Sequence, residues 1–105
     1  MRVAIKQGDT RHAIRGLLKN NGNIVDLTGA TVQFKMFSRY SKTLIDSPAT
    51  IETDGTVQYV FTDGETDVTG LYDAEFLVTY TDDRVETFPH EGFIKIYIES
   101  RIGGI

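Results

Sequence analysis

The side chains that could carry hydrolytic catalysis are few in this sequence. Its two histidines are His12 and His90, and none of its four serines lies in a nucleophile-elbow pattern. A catalytic triad needs a nucleophile, a base and an orienting group within hydrogen-bond reach. The sequence has no cysteine, which excludes a thiol nucleophile, a zinc–thiolate site and a disulfide framework. We therefore interpret both histidines as surface or loop residues and expect neither an enzyme nor a cofactor.

One acidic loop has the residue types of a calcium site. Asp63-Gly64-Glu65-Thr66-Asp67 places three carboxylates at alternate positions, and carboxylate oxygens are the ligands that calcium prefers. The loop lacks the glycine at position six and the distal bidentate glutamate of a helix-loop-helix site. A solvated acidic loop is the simpler interpretation, so we predict no metal site.

The remaining candidates are residues that could contact a partner. Tyr40 lies in a loop beside Arg39 and Lys42, and an exposed aromatic ring beside polar groups suits a sugar or a protein surface. Ile102 and Ile105 are the apolar residues of the segment 101–105, which we predict to be a flexible tail that orders on assembly. These five residues form the expected interaction surface.

The distribution of charge favours protein partners over nucleic acid. The net charge is −4, which disfavours nucleic acid as the main partner. Residues 1–42 carry eight basic and two acidic side chains, whereas residues 43–105 carry three basic and thirteen acidic ones. Either the two halves interleave and neutralise each other, or they form opposite faces that suit ring packing. The first six residues turn polar and are not expected to form a signal peptide, and no apolar run approaches membrane-spanning length, so no membrane partner is expected.

Alternating apolar residues predict the strands that position these candidates. Val32, Phe34 and Met36 share one face of a strand, and the longest strand is predicted over 71–80. Asp54-Gly55 is a hairpin signal. We expect two edge strands, one at 44–46 that Pro48 cuts short and one at 93–98.

The number and spacing of these strands indicate a sandwich or a barrel. Asp67, Gly70 and Tyr72, at the start of the longest strand, resemble the tyrosine corner of immunoglobulin-type sandwiches; a tyrosine that merely begins a strand is the alternative. The sequence therefore predicts an all-β fold, an immunoglobulin-like antiparallel β-sandwich of seven to eight strands. Residues 1–100 are expected to form this single domain, followed by the tail.

Four segments of the chain carry a family resemblance: 6–10 (KQGDT), 25–34 (VDLTGATVQF), 55–59 (GTVQY) and 70–76 (GLYDAEF). In this order they resemble the amino-terminal immunoglobulin-like domain of upper baseplate proteins from tailed phages of Gram-positive hosts. The resemblance implies a phage or prophage virion protein that anchors to the baseplate or tail, while later parts of such polypeptides carry the receptor-binding module. The chain stops after the domain, so we expect either a piece of a longer protein or a stand-alone neck or tail relative.

The resemblance also implies partners and a location. The partners would be other virion proteins, with several copies in a homo-oligomer or ring, and the location would be the virion, assembled in the host cytoplasm. The alternative from a different functional class is a surface adhesion or carbohydrate-binding immunoglobulin-like domain.

Overall fold

The computed structural model describes residues 2–38, 40 and 44–103. Within these ranges the chain forms no helix, and therefore none that is long and apolar enough to cross a membrane. It forms ten strands: β1 (Arg2–Lys6), β2 (Ala13–Leu17), β3 (Lys19–Asn20), β4 (Asn23–Ile24), β5 (Thr31–Phe37), β6 (Leu44–Ile51), β7 (Thr56–Val60), β8 (Gly70–Thr79), β9 (Val85–Phe88) and β10 (Ile94–Glu99). The all-β prediction is confirmed.

Eight of these strands form one curled sheet in the order β1-β10-β8-β5-β6-β7-β2, with β9 pairing with β8. The short strands β3 and β4 form a separate hairpin. The predicted antiparallel pairing holds for the other neighbours in this sheet, but β1 pairs with β10 in parallel, so the sheet is mixed. The sheet curls at β6, which pairs with β5 up to Ala49 and with β7 at Thr50 and Ile51.

The concave side of the sheet holds the core. The predicted alternation in β5 is confirmed, since Val32, Phe34 and Met36 are all buried. The ring of Phe34 stacks on that of Tyr59 across the concavity, with centroids 4.5 Å apart and planes 12° apart. Phe76 of β8 lies against the same Phe34 ring. Each such aromatic pair adds about 1 kcal/mol beyond the burial of its area, so these rings hold the two sides of the curl together.

Both predicted edge strands lie inside the sheet. The prediction for the last strand is wrong because β10 lies between β1 and β8. Pro48 does not interrupt β6, and it lies opposite Gln33 of β5. The amide of Glu52 donates to the carbonyl of Thr56 in the hairpin to β7, so even-numbered residues of β6 point toward β7. The N–H that Pro48 lacks would point away from β5, and no bond to β5 is lost.

The structure contains the hydrogen bond that characterises a tyrosine corner. The Tyr72 hydroxyl donates to the carbonyl oxygen of Val68 at 2.6 Å, and the Tyr72 side chain is buried. Gly70, between them, has a φ of 142°, which a side chain would strain. This bond fastens the loop before β8 to the start of the strand.

Replacing Tyr72 with phenylalanine is expected to lower the free energy of unfolding by about 1 kcal/mol, because the bond to Val68 is lost while the ring still fills its site. The matched control is Tyr97→Phe, since the Tyr97 hydroxyl has no hydrogen bond to any described residue. Urea denaturation of the two variants measures the difference. Equal stability of the two variants would contradict the role given to the corner.

Candidate interaction surface

The convex face of the sheet presents an ordered row of side chains. Register pairs Arg2 with Lys95, Lys95 with Asp73, Asp73 with Phe37 and Phe37 with Leu44. Side chains of directly paired residues point to the same face, so this row runs from β1 to β6 across the outside of the sheet. It begins with two cations and ends with two apolar groups.

An apolar patch covers the end of this face. The convex patch consists of five exposed apolar side chains: Phe37, Tyr40, Leu44, Leu71 and Phe93. Tyr40 is 90% exposed, Leu44 63% and Leu71 59%. Clustered exposed apolar groups mark a contact site more often than isolated ones do.

A groove of about 540 Å³ crosses the convex patch. Phe37, Tyr40, Leu71 and Phe93 line it together with Arg2, Tyr72, Asp73 and Lys95. Aromatic rings beside an arginine are the composition that is enriched at the centres of protein interfaces.

Two of the charged side chains at the rim of the groove form an ion pair with each other. The Lys95 ammonium lies 2.6 Å from a carboxylate oxygen of Asp73 and 5.5 Å from the centre of the Phe93 ring. This ion pair is solvent-exposed and contributes little stability, so its main effect is to fix both side chains beside the groove. Arg2 has no ion pair with a described residue, which leaves its charge available to a partner.

The structure brings one of the predicted interaction residues to this surface. Tyr40 lines the groove, whereas Ile102 is fully exposed and does not line it. Arg39, Lys42 and Ile105 lie outside the described residues, so their part in the predicted surface stays a prediction.

Leu44 and Phe93 fall in the two strands that were predicted to be edges, whereas sequence reasoning missed Phe37 and Leu71, although a signal for them exists. Leu71 is out of phase with the buried residues Tyr72 and Ala74 of its strand. Phe37 is likewise out of phase with the buried residues of β5. A large apolar residue on the polar phase of a strand indicates a surface that another molecule covers.

The two histidines and the acidic loop, which were considered for catalysis and calcium binding, contact neighbouring residues of the chain. His90 lies 2.7 Å from Glu86, and His12 lies 3.5 Å from Asp9. Glu65 of the acidic loop accepts the Tyr59 hydroxyl at 2.7 Å and the amide of Thr62 at 2.8 Å. Within residues 2–38, 40 and 44–103, no group of three metal-binding side chains occurs.

The basic and acidic halves of the sequence meet in the fold. Lys6 of β1 lies 3.7 Å from Glu99 of β10, and Lys35 of β5 lies 3.8 Å from Asp46 of β6. Each pair joins a basic residue of the first half to an acidic residue of the second. These pairs favour the interpretation in which the two halves interleave and neutralise each other.

Two tyrosines have strongly perturbed ionisation. Burial raises the pKa of Tyr59 to about 12, helped by its hydrogen bond to Glu65. Burial also raises the pKa of Tyr80 to about 12, helped by its hydrogen bond to Glu86. Both phenols therefore remain neutral donors throughout the physiological range.

We expect the folded protein to lose stability between pH 10 and pH 12, because these phenols titrate near 10 when unfolded and near 12 when folded. The two phenols make their full contribution to the free energy of unfolding below pH 10, and this contribution is lost as the pH approaches 12. In the double variant Tyr59→Phe, Tyr80→Phe, the free energy of unfolding should fall less steeply over this range than in the unmodified chain. Chemical denaturation at a series of pH values measures both slopes, and equal slopes would contradict the assignment.

Comparison with known protein families gives a match over most of the chain. A family model described as the BppU N-terminal domain matches residues 2–89, which include β1 to β9. A search of curated proteins found no match.

Proposed function

The chain belongs to the family of the BppU N-terminal domain and is thus a phage baseplate protein, and on this premise we propose that it works by binding other virion proteins. The observation that carries the proposal is the convex patch, which places aromatic and aliphatic groups together on an exposed sheet face. Burying such groups is the main source of affinity between proteins. Leu44 and Leu71 add no hydrogen-bonding groups, so they suit an apolar protein surface.

We extend the proposal to the assembly and to its location. Copies of the domain would stand in a homo-oligomer or ring on the virion, assembled in the host cytoplasm, because identical subunits close most often with cyclic symmetry. The Arg2 and Lys95 cations on the rim would then set the orientation of the contact, since charged rims contribute specificity more than affinity.

We also infer that the curled sheet is of the immunoglobulin-like sandwich class. The Tyr72–Val68 hydrogen bond supports this inference, because the same corner recurs in that class. The packing of β7 over β5 through Tyr59 and Phe34 supports it as well, since it creates two facing layers.

Replacing Leu71 with glutamate is expected to reduce incorporation into particles by about tenfold, because a charge would be buried in the contact. The matched control is Val60→Glu, which changes an exposed apolar residue on β7, outside the convex patch. Immunoblots of purified particles measure incorporation, and thermal unfolding checks that both variants fold.

Immunogold electron microscopy of a tagged chain gives the location in the same particles. The proposal is supported if the label lies at the tail tip and the Leu71→Glu variant is lost from the particles. Label elsewhere on the particle, or equal incorporation of the two variants, contradicts it.

Carbohydrate binding is the second candidate function, favoured by the exposed Tyr40 and Phe93 rings beside the Asp73 carboxylate in one groove. Sugar rings stack on aromatic faces and donate hydroxyl protons to carboxylates. This function predicts that the purified chain is retained on host cell-wall glycans and that Tyr40→Ala abolishes retention. A chain that passes through such a column unretained would contradict it.

A further inference from the structure

The curled sheet leaves a slot between two edge strands. Among the described strands, β2 pairs only with β7, and β9 pairs only with β8. A slot of about 330 Å³ lies between them. Its floor contains Phe76, Phe88 and Ile94, which belong to the buried core, so the core is reachable from outside at this place.

The hydrogen-bonding phase of β7 shows which backbone groups face β2. The carbonyl of Thr56 accepts from the amide of Glu52 at 2.8 Å, so the backbone groups of Thr56 point toward β6. Backbone groups of successive strand residues point to opposite sides. Val57 and Tyr59 therefore direct their N–H and C=O groups toward β2.

The same alternation leaves β2 with an open backbone edge. Gly16 and Ile14 lie opposite Val57 and Tyr59 and form the bonds to β7. Ala13, Arg15 and Leu17 then direct their backbone groups away from β7, and these groups have no hydrogen bond to any other described part of the chain. Such a row of unpaired groups is a template for another strand.

The strand β9, which contributes Phe88 to the opposite wall of the slot, has an open edge as well. The amide of Tyr80 donates to the carbonyl of Arg84 at 2.8 Å, so Arg84 and alternate residues after it point toward β8. Val85 and Thr87 therefore direct their backbone groups away from β8. The slot is bounded by strand edges on two sides, which favours an extended chain as its occupant.

The charges at the rim complement an acidic occupant. Arg15 of β2 and Lys19 of β3 line the same side of the slot, and Lys19 has no ion pair with a described residue. The carboxylate of Glu86, near the other side, already accepts hydrogen bonds from Tyr80 and Asn20 and lies 2.7 Å from His90. The available charge at the slot is therefore positive.

We propose that the slot binds an extended segment of another virion protein, which adds a strand to β2. Alternate apolar side chains of this segment contact Phe76, Phe88 and Ile94, and an acidic residue pairs with Arg15 or Lys19. Main-chain bonds to an open edge supply affinity in this mode of recognition, and the pockets supply specificity. The inference rests on the proposed function, because it takes the partner from the virion.

Hydrogen–deuterium exchange of the purified chain and of intact particles tests the proposal. The amides of Arg15 and Leu17 should exchange at least about tenfold more slowly in particles, because an added strand accepts from them. The amides of Ile14 and Gly16 serve as the internal control, since β7 already protects them and they should change far less.

A proline at position 15 tests the backbone contact directly. Arg15→Pro removes an outward-pointing N–H and leaves the bonds of β2 to β7 intact, which an edge strand tolerates. Arg15→Ala is the matched control, because it removes the charge and keeps the N–H. Incorporation into particles should fall about tenfold for the proline variant and much less for the alanine variant.

Several outcomes would overturn the proposal. Unchanged exchange of Arg15 and Leu17 in particles that contain the chain overturns the strand addition and leaves the proposed function standing. Equal incorporation of the Arg15→Pro and Arg15→Ala variants also overturns the strand addition and leaves the proposed function standing. If the proline variant does not fold, the hydrogen–deuterium exchange experiment alone tests the strand addition. Protection that develops in the purified chain alone as its concentration rises would assign the slot to a second copy. Absence of the chain from particles overturns the proposed function as well.

Discussion

The ring of Phe34 on β5 stacks on that of Tyr59 on β7, with centroids 4.5 Å apart, and this contact couples the two sides of the curled sheet. It draws β7 over β5, so that the sheet curls. Because side chains alternate along a strand, fixing Phe34 inward places Lys35 and Phe37 outward. The convex patch and the open slot between β2 and β9 both follow from this curl, the first because one face remains outside and the second because the sheet does not close.

Local patterns in the sequence were sufficient for strand phase and turns, and insufficient for strand neighbours. The alternation in β5 identified its buried residues, and Asp67, Gly70 and Tyr72 indicated the tyrosine corner whose hydrogen bond the structure contains. The parallel pairing of Arg2 with Lys95 joins opposite ends of the chain and leaves no local signal. For the same reason the interior position of β10 could not be predicted. The effect of Pro48 depends on which side of β6 faces β5, which only the three-dimensional pairing determines.

The residues of the candidate surface could be predicted from the sequence only in part, as was true of the fold. Tyr40 is conspicuous as an exposed aromatic in a polar loop, whereas Leu71 and Phe37 lie in strands whose neighbours are core residues. The phase of each strand, which the sequence shows, assigns them to the outside, whereas their assembly into one patch needed the register between strands, which the sequence does not show. The two proposed contact sites differ in kind. The convex patch offers side chains to a preformed surface, and the slot offers backbone groups to an extended segment.

The most direct test of the convex patch as the contact surface in the virion uses the absence of cysteine from the chain. A single cysteine is introduced by Leu71→Cys, and in a second chain by Val60→Cys, at positions that are 59% and 46% exposed in the free domain. Maleimide labelling is then compared between the purified chain and intact particles. We expect the cysteine at position 71 to be labelled in the purified chain and protected in particles, and the one at position 60 to be labelled in both. Equal labelling of position 71 in the two states would contradict this expectation.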